Sequence, residues 1–243
     1  MSYTDETRGR LGNQIIRNLA LSLVAKKNNL HVDYSNYSII NNQLGIQLFI
    51  GDIKYNSIRR INNSNYLKLY YQNESIDYNL NFNEDYFQSE EITSILYQHL
   101  HSDQQKSNII EHNPFKSRYN NNKDLFIHIR LGDLQHCTPK IKYYFKALKN
   151  IPWKRIYLAT DSPEHKMIKR IKLKYPRAIV IKKEPVETIQ FGSTCKYVVL
   201  SIGSFSALIG YLSFFSNIYY TNIPRPGRAG PLGLFTNKGW KII

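Results

Sequence analysis

Arg130 lies within the run His128-Ile129-Arg130-Leu131-Gly132-Asp133, which directly follows the apolar stretch Leu125 to Ile127. A guanidinium in that place is suited to a diphosphate. Its planar fork donates two parallel hydrogen bonds to phosphate oxygens and stabilises the charge that grows on a departing phosphate. The plainer alternative pairs Arg130 with Asp133 as structural support. Further along, Asp161 in Thr160-Asp161 offers two acceptor oxygens that match the N1 and N2 donors of guanine and not the edge of adenine. It also stands where it would cap the helix opened by Ser162-Pro163. In Gly203-Ser204-Phe205-Ser206 the backbone N–H groups and hydroxyls of Ser204, Phe205 and Ser206 would cradle an anion at a helix amino end. A simple serine N-cap is the competing reading. Near the chain start, Gly9-Arg10-Leu11-Gly12-Asn13-Gln14 opens another helix, where Gly12 would let backbone approach a ligand.

These groups need a scaffold that brings them together, and the second half of the chain reads as one. Strand Leu125 to Ile129, helix Pro139 to Asn150, strand Arg155 to Ala159, helix Pro163 to Tyr175 and strand Ala178 to Ile181 alternate as βαβα units, which predicts a parallel sheet flanked by helices. His128, Arg130 and Asp161 then fall at the carboxyl ends of strands, where open α/β folds bind nucleotides. Such a set points to a nucleotide-sugar enzyme. In the first half, Ile15, Ile16, Leu19, Ala20, Leu23 and Val24 recur with helical period before a strand at Leu30 to Tyr34, and Glu90 to Leu100 reads as a helix. Between them Ile46 to Ile50 and Tyr66 to Tyr71 are only short apolar runs among Asn-rich turns. The polar stretch His101 to Asp124, with Pro114 and Asn120-Asn121-Asn122, reads as a linker.

Composition narrows the partners. The 33 Lys and Arg against 18 Asp and Glu give a formal charge of +15, which favours an anionic partner: a nucleotide, a nucleic acid or an acidic membrane surface. The basic helix with Lys166, Lys169, Arg170, Lys172 and Lys174 is a solvated face or, in a nucleic-acid reading, the contact patch, but no nucleic-acid-binding motif accompanies it, and no such partner is expected. Cys137 and Cys195 have neither disulfide-framework nor zinc spacing, and His99, His101 and His112 lack supporting ligands, so no metal site is expected. No secretory signal is visible at Met1 to Glu6, and triplets at Asn36, Asn62 and Asn73 carry little weight in so Asn-rich a chain. The uncharged run Tyr197 to Tyr220 has the length of a membrane span. Its interspersed Ser and Gly divide it instead into strand, helix and strand. A cytoplasmic protein is expected, with peripheral contact to an anionic membrane left open.

The motifs together resemble the alpha-1,2-fucosyltransferase family (glycosyltransferase family 11), within the superfamily that includes the protein O-fucosyltransferases. The resemblance runs over nearly the whole chain: Gly9 to Gln14, Tyr86-Phe87-Gln88-Ser89-Glu90, the His-x-Arg motif, Glu187 to Ser206, and Gly239-Trp240-Lys241. It implies a GT-B-like α/β fold of two facing Rossmann-like lobes, residues 1–115 on the acceptor side and 116–243 binding the GDP-sugar. It also implies metal-independent, inverting transfer of L-fucose from GDP-fucose to a glycan hydroxyl, in alpha-1,2 linkage, with the donor as substrate and no cofactor. Arg130 would bind the β-phosphate, His128 and Asp161 the guanosine end, Ser204 to Ser206 the diphosphate, and Gly12, Asn13 and Gln14 would face the donor sugar. Asp133 and Glu6 are the candidates for a general base, with Asn13 as a non-basic orienting group. The chain departs from the family at Leu131, where a second Arg is usual, at Thr160, where an Asp precedes Asp161, and at Ala207-Leu208, where aromatic residues stand. Two alternatives follow: transfer of another GDP-deoxyhexose, or a GT-B module that binds nucleotide or glycan without turnover.

Overall fold

A computed structural model of the chain describes residues 1–5, 9–133, 137–222, 233–236 and 238–243. It divides into two units, Met1–His112 and Asn113–Ile243, a few residues before the boundary expected after residue 115. In the first unit β1 (Ser2–Tyr3), α1 (Leu11–Lys27), β2 (Val32–Asp33), β3 (Ile58–Arg60), α2 (Asn63–Tyr71), β4 (Asn79–Asn81), α3 (Glu90–Leu100) and α4 (Asp103–His112) follow in order. The strands form a four-stranded sheet, β2-β1-β4-β3, in which each neighbouring pair is parallel.

α1 is buried almost all round: Ile15, Ile16, Leu19, Leu21 and Val24 are fully covered, and so are Arg17 and Asn18. Buried polar groups must find partners, and both do. Asn18 accepts from Thr4 Oγ1 at 2.7 Å and donates to the Ser35 carbonyl at 2.6 Å. Arg17 donates to the Phe82 carbonyl at 3.1 Å, the Asp5 carbonyl at 3.4 Å and Asn83 Oδ1, tying α1 to the segments that follow β1 and β4. The run Tyr66 to Tyr71 is part of α2 because Asn62 and Asn65 form a reciprocal capping box at its start. The expected linker is a correction: it holds α4, whose Gln105 and Ile109 are buried, and a 3-10 turn at Lys116–Arg118. Arg118 pairs with Asp124 at 2.8 Å and stacks over Phe191 at 4.5 Å, which fixes the start of the second unit.

That unit runs β5 (Leu125–Ile129), α5 (Ile141–Asn150), β6 (Ile156–Thr160), α6 (Lys166–Lys174), β7 (Ile179–Val180), α7 (Pro185–Ser193), β8 (Tyr197–Val199), α8 (Ser204–Tyr211), β9 (Asn217–Tyr220) and β10 (Lys241–Ile242). Its six strands are ordered β10-β9-β8-β5-β6-β7, all parallel. Side chains on β5 alternate as a strand requires. Leu125, Ile127 and Ile129 enter a core with Tyr144, Ala147 and Leu148 of α5 and Ile168 and Ile171 of α6, whereas Phe126 faces Phe191 of α7 and His128 faces Phe205 of α8. The uncharged run Tyr197 to Tyr220 is β8, α8 and β9, and among the described residues no helix is long and apolar enough to cross a membrane.

Arg17→Met keeps the volume of the side chain and removes its donors, leaving buried carbonyls unsatisfied. We expect it to destabilise the first unit by roughly 2–4 kcal/mol, measured as a lower urea midpoint.

Candidate functional site at the carboxyl ends of the strands

In the second unit β5 lies between β6, reached through α5, and β8, reached from the far side, so the strand order reverses between β5 and β8. In open α/β sheets a crevice forms outside the carboxyl ends of the strands at such a point. Arg130 follows β5, Asp161 follows β6, and the turn Gly203 to Ser206 follows β8. Register reinforces the grouping, since His128 sits opposite Ala159 and Ile129 opposite Thr160.

Polar bonds lock these segments to one another. Ser201, 1% exposed, accepts from Arg130 N at 3.2 Å and from the Tyr144 hydroxyl at 3.2 Å through its Oγ, while its own N–H donates to Ser206 Oγ at 2.8 Å. Thr138 Oγ1 donates to the Arg130 carbonyl. Asp161 Oδ1 accepts from the N–H groups of Leu131 at 2.8 Å and Gly132 at 3.0 Å, so the end of β6 braces the loop after β5. Ser201 is the member that sequence reasoning missed. It entered only as one of the hydroxyls diluting an apolar run, and nothing local marks a serine as a hub between segments seventy residues apart.

The structure changes several expectations of detail. Asp161 does not cap the following helix: α6 starts at Lys166, and its cap is His165, whose Nδ1 accepts from Met167 N at 3.2 Å. With Oδ1 taken by two amides, only Oδ2 is left for a ligand, in place of the two-oxygen grip on guanine. Ser206 is fully buried and turns its hydroxyl inward to Ser201, so its side chain is part of the scaffold. The cap of α8 is Gly203, not a serine, and its φ of +89° is open to glycine and strained for other residues. Leu131 is 2% exposed and packs in the α5–α6 core, which is why this position carries no cation.

Arg130 and Asp133 form a two-pronged pair, Nε and Nη2 on Oδ1 at 3.0 and 2.8 Å and Nη2 on Oδ2 at 2.9 Å. The Arg130 side chain is 14% exposed and the Asp133 side chain 44%, so the pair borders solvent on its acidic side only. Beside it, burial, reinforced by the Arg130 charge and offset by Asp161, pulls the His128 imidazole down to about 4. The ring is therefore neutral near pH 7. Its Nδ1 is buried and has no hydrogen-bond partner among the described residues, and its centroid lies 5.3 Å from that of Phe205.

The first unit has a reversal of its own, between β1 and β4. Gln14, 7% exposed, donates to the Gly9 carbonyl at 2.9 Å and accepts from Asn36 at 2.7 Å, and Asn13 Oδ1 accepts from Gln88 at 2.8 Å. The Gly9 to Gln14 and Tyr86 to Glu90 motifs therefore meet through Asn13 and Gln88. Gly12 stands in the first turn of α1, the helix opening expected for it, and is buried there. The glycine that the turn requires is Gly9, with φ +79° and a Cβ position only 2.4 Å from Asn13 Nδ2. The Arg17, Asp5 and Asn83 group at this edge carried no signal in the sequence. Glu6, Arg225 and Arg228 lie outside the described residues. Among the described residues no three His, Cys, Asp or Glu are placed to hold a metal. Cys137 and Cys195 are both free thiols, and burial pushes Cys195 up to about 12, so it stays protonated.

Comparison with protein-family models gives no match, and neither does comparison with curated proteins. Among solved structures the chain is similar to a crystal structure of NodZ alpha-1,6-fucosyltransferase soaked with GDP-fucose, at 13% identity and a TM-score of 0.41. The match covers 68% of this chain and 62% of that one, so it spans less than two thirds of that protein's length. At this depth the likeness assigns neither activity nor residue roles.

The unfolded chain protonates His128 near 6.5 and the folded chain near 4. Its stabilising contribution is therefore fully present above pH 6.5 and is lost as pH falls from there toward 4, by up to about 3 kcal/mol. Urea unfolding across this window should show a shallower pH slope for His128→Phe; an identical slope in the variant would sink the assignment.

Proposed function

We propose that the second unit binds a GDP-sugar and that the protein is an inverting glycosyltransferase moving L-fucose from GDP-fucose to a glycan hydroxyl. The observation that carries this reading is the link through Ser201, which holds the Arg130 loop and the first turn of α8 to one another at the point where the strand order reverses. A guanidinium and a helix amino end held side by side suit a diphosphate. Arg130 would exchange Asp133 for the β-phosphate and stabilise the charge that develops as the glycosidic bond breaks. The backbone amides of Ser204 and Phe205 would take the remaining phosphate oxygens, with Phe205 also covering His128. His128, neutral and with an unpartnered nitrogen, and Asp161, through Oδ2, would read the guanosine end.

In this proposal Asp133 holds the guanidinium in place until the donor displaces it, because both of its oxygens accept from Arg130 before the phosphate arrives. The assignment of residues 1–115 to the acceptor side, with Asn13 orienting the acceptor hydroxyl, and the alpha-1,2 linkage rest on the sequence resemblance. So do metal-independent turnover and a cytoplasmic site of action. Asn13 cannot take a proton; Gln88 already fixes its amide oxygen. One observation favours binding without turnover: Leu131 fills the core where the family has a second arginine.

Titration calorimetry with GDP, GDP-fucose, GDP-mannose, ADP and UDP, with EDTA present, tests the donor assignment first. We expect GDP and GDP-fucose to bind selectively, and binding indifferent to the base would overturn it. Asp161→Asn retains an oxygen for the Leu131 and Gly132 amides but replaces the ligand-facing acceptor with a donor. It should weaken GDP by about 10-fold or more while leaving ADP unchanged. Where transfer is detected, Arg130→Ala should lower kcat about 10²–10³-fold with an unchanged Tm; wild-type turnover in that variant would remove Arg130 from the mechanism.

A further inference from the structure

At the opposite edge of the second unit's sheet, around the amino ends of β6 and β7, lies a concave space of about 580 Å³. Trp153, Lys154, Arg155, Lys174, Tyr175 and Arg177 line it, and no acidic residue does. None of the four cations has a carboxylate partner among the described residues. Lys174 instead lies 4.9 Å over the Phe145 ring. Like charges held around one concavity repel one another, and an anion entering it removes that repulsion.

The basic surface continues along α6. Ile168 and Ile171 bury its inner face, and Leu173 projects from the outer face at 85% exposure. On a helix the residues three, four and seven positions before Leu173 share its face, and these are Arg170, Lys169 and Lys166. All three are exposed. Glu164 answers Lys169 at 3.3 Å, but both side chains are largely solvated, so the pair offsets little of the charge. Ile179, 46% exposed, lines the basic concavity itself.

We propose that this face docks the protein on an anionic phospholipid surface, with the concavity taking phosphate head groups and Leu173 and Ile179 entering the interface. Charge complementarity alone would also fit a nucleic acid. The details favour lipid. A largely solvated leucine in the last turn of a basic helix face matches an interfacial helix and has no use against a phosphate backbone. The aromatic rings are not open stacking platforms either: Trp153 and Tyr175 meet edge to face at 6.1 Å, and the Trp153 Nε1 donates to the Leu148 carbonyl. The face is remote in the sheet from the strand ends that carry Arg130 and Asp161, so the inference stands apart from the donor assignment.

Sedimentation with vesicles tests it, using phosphatidylcholine alone and phosphatidylcholine mixed with phosphatidylglycerol. The whole protein should partition only onto the anionic vesicles and release as salt rises. The pairs Lys154→Glu/Arg155→Glu and Lys174→Glu/Arg177→Glu should each lower partitioning by about 10-fold or more, and Leu173→Ser by a few-fold without changing the salt dependence, all with an unchanged Tm. Failure to bind anionic vesicles, equal binding to neutral ones, or wild-type partitioning of the charge-reversed variants would overturn the proposal. So would a single-stranded oligonucleotide that binds through these residues while vesicles do not.

Discussion

Parallel pairing is the constraint on which the rest of this structure depends. When every strand of a sheet points the same way, each must return through a crossover on one face of the sheet, and all carboxyl ends come to one edge. In the second unit that edge receives Arg130, Asp161 and the start of α8, three segments separated widely in sequence. No long-range side-chain attraction is needed to gather them. The sheet gathers them as a consequence of its hydrogen-bond direction, and the alternation along β5 then decides that His128 goes to the α8 side while Ile127 and Ile129 build the core.

Parallel pairing delivers segments to an edge but does not fix loops at the precision that ligand chemistry needs. That second level is polar and buried. Ser201 joins the backbone of Arg130 to the first turn of α8, Asp161 joins the end of β6 to the same loop, and Tyr144 anchors Ser201 from α5. Buried groups of this kind are stable only when satisfied together, so the loops are held by mutual dependence. The first unit uses the same device with different residues: Arg17 ties the segments after β1 and β4, while Gln14 and Gln88 hold the loop and helix start around Asn13.

Much of the second unit was legible because its signals are local. Leu125 to Ile129 is a short run of strand formers; in the first unit Glu90 to Leu100 likewise has a clear apolar face, and both elements have the expected bounds. Arg130 and Asp161 were recognisable from side-chain type and from their place after strands. What was not legible depends on distant partners. The roles of Ser201 and Arg17 exist only once β8 and β4 are in place. Asp161 was expected to cap a helix because Ser162-Pro163 follows it, but the nearer amides of Leu131 and Gly132 won the competition for its oxygen. Helix α2 was hidden for a different reason: Asn62 and Asn65 look like turn residues until their reciprocal bonds form.

The edge strand β3 carries a consequence of its own. Ile58, Arg59 and Arg60 are all exposed on the outermost strand of the first unit's sheet, and Arg59 lies 4.0 Å over the Tyr78 ring. An uncovered strand edge invites another strand to pair with it, and charge along the edge repels that approach. Among the described residues Arg60 is answered only by a solvated Glu84 at 3.5 Å, so the two adjacent guanidinium groups make β3 a poor template for a second copy of itself. Part of the chain's excess of positive charge thus works against aggregation through sheet extension, a task that involves no ligand at all.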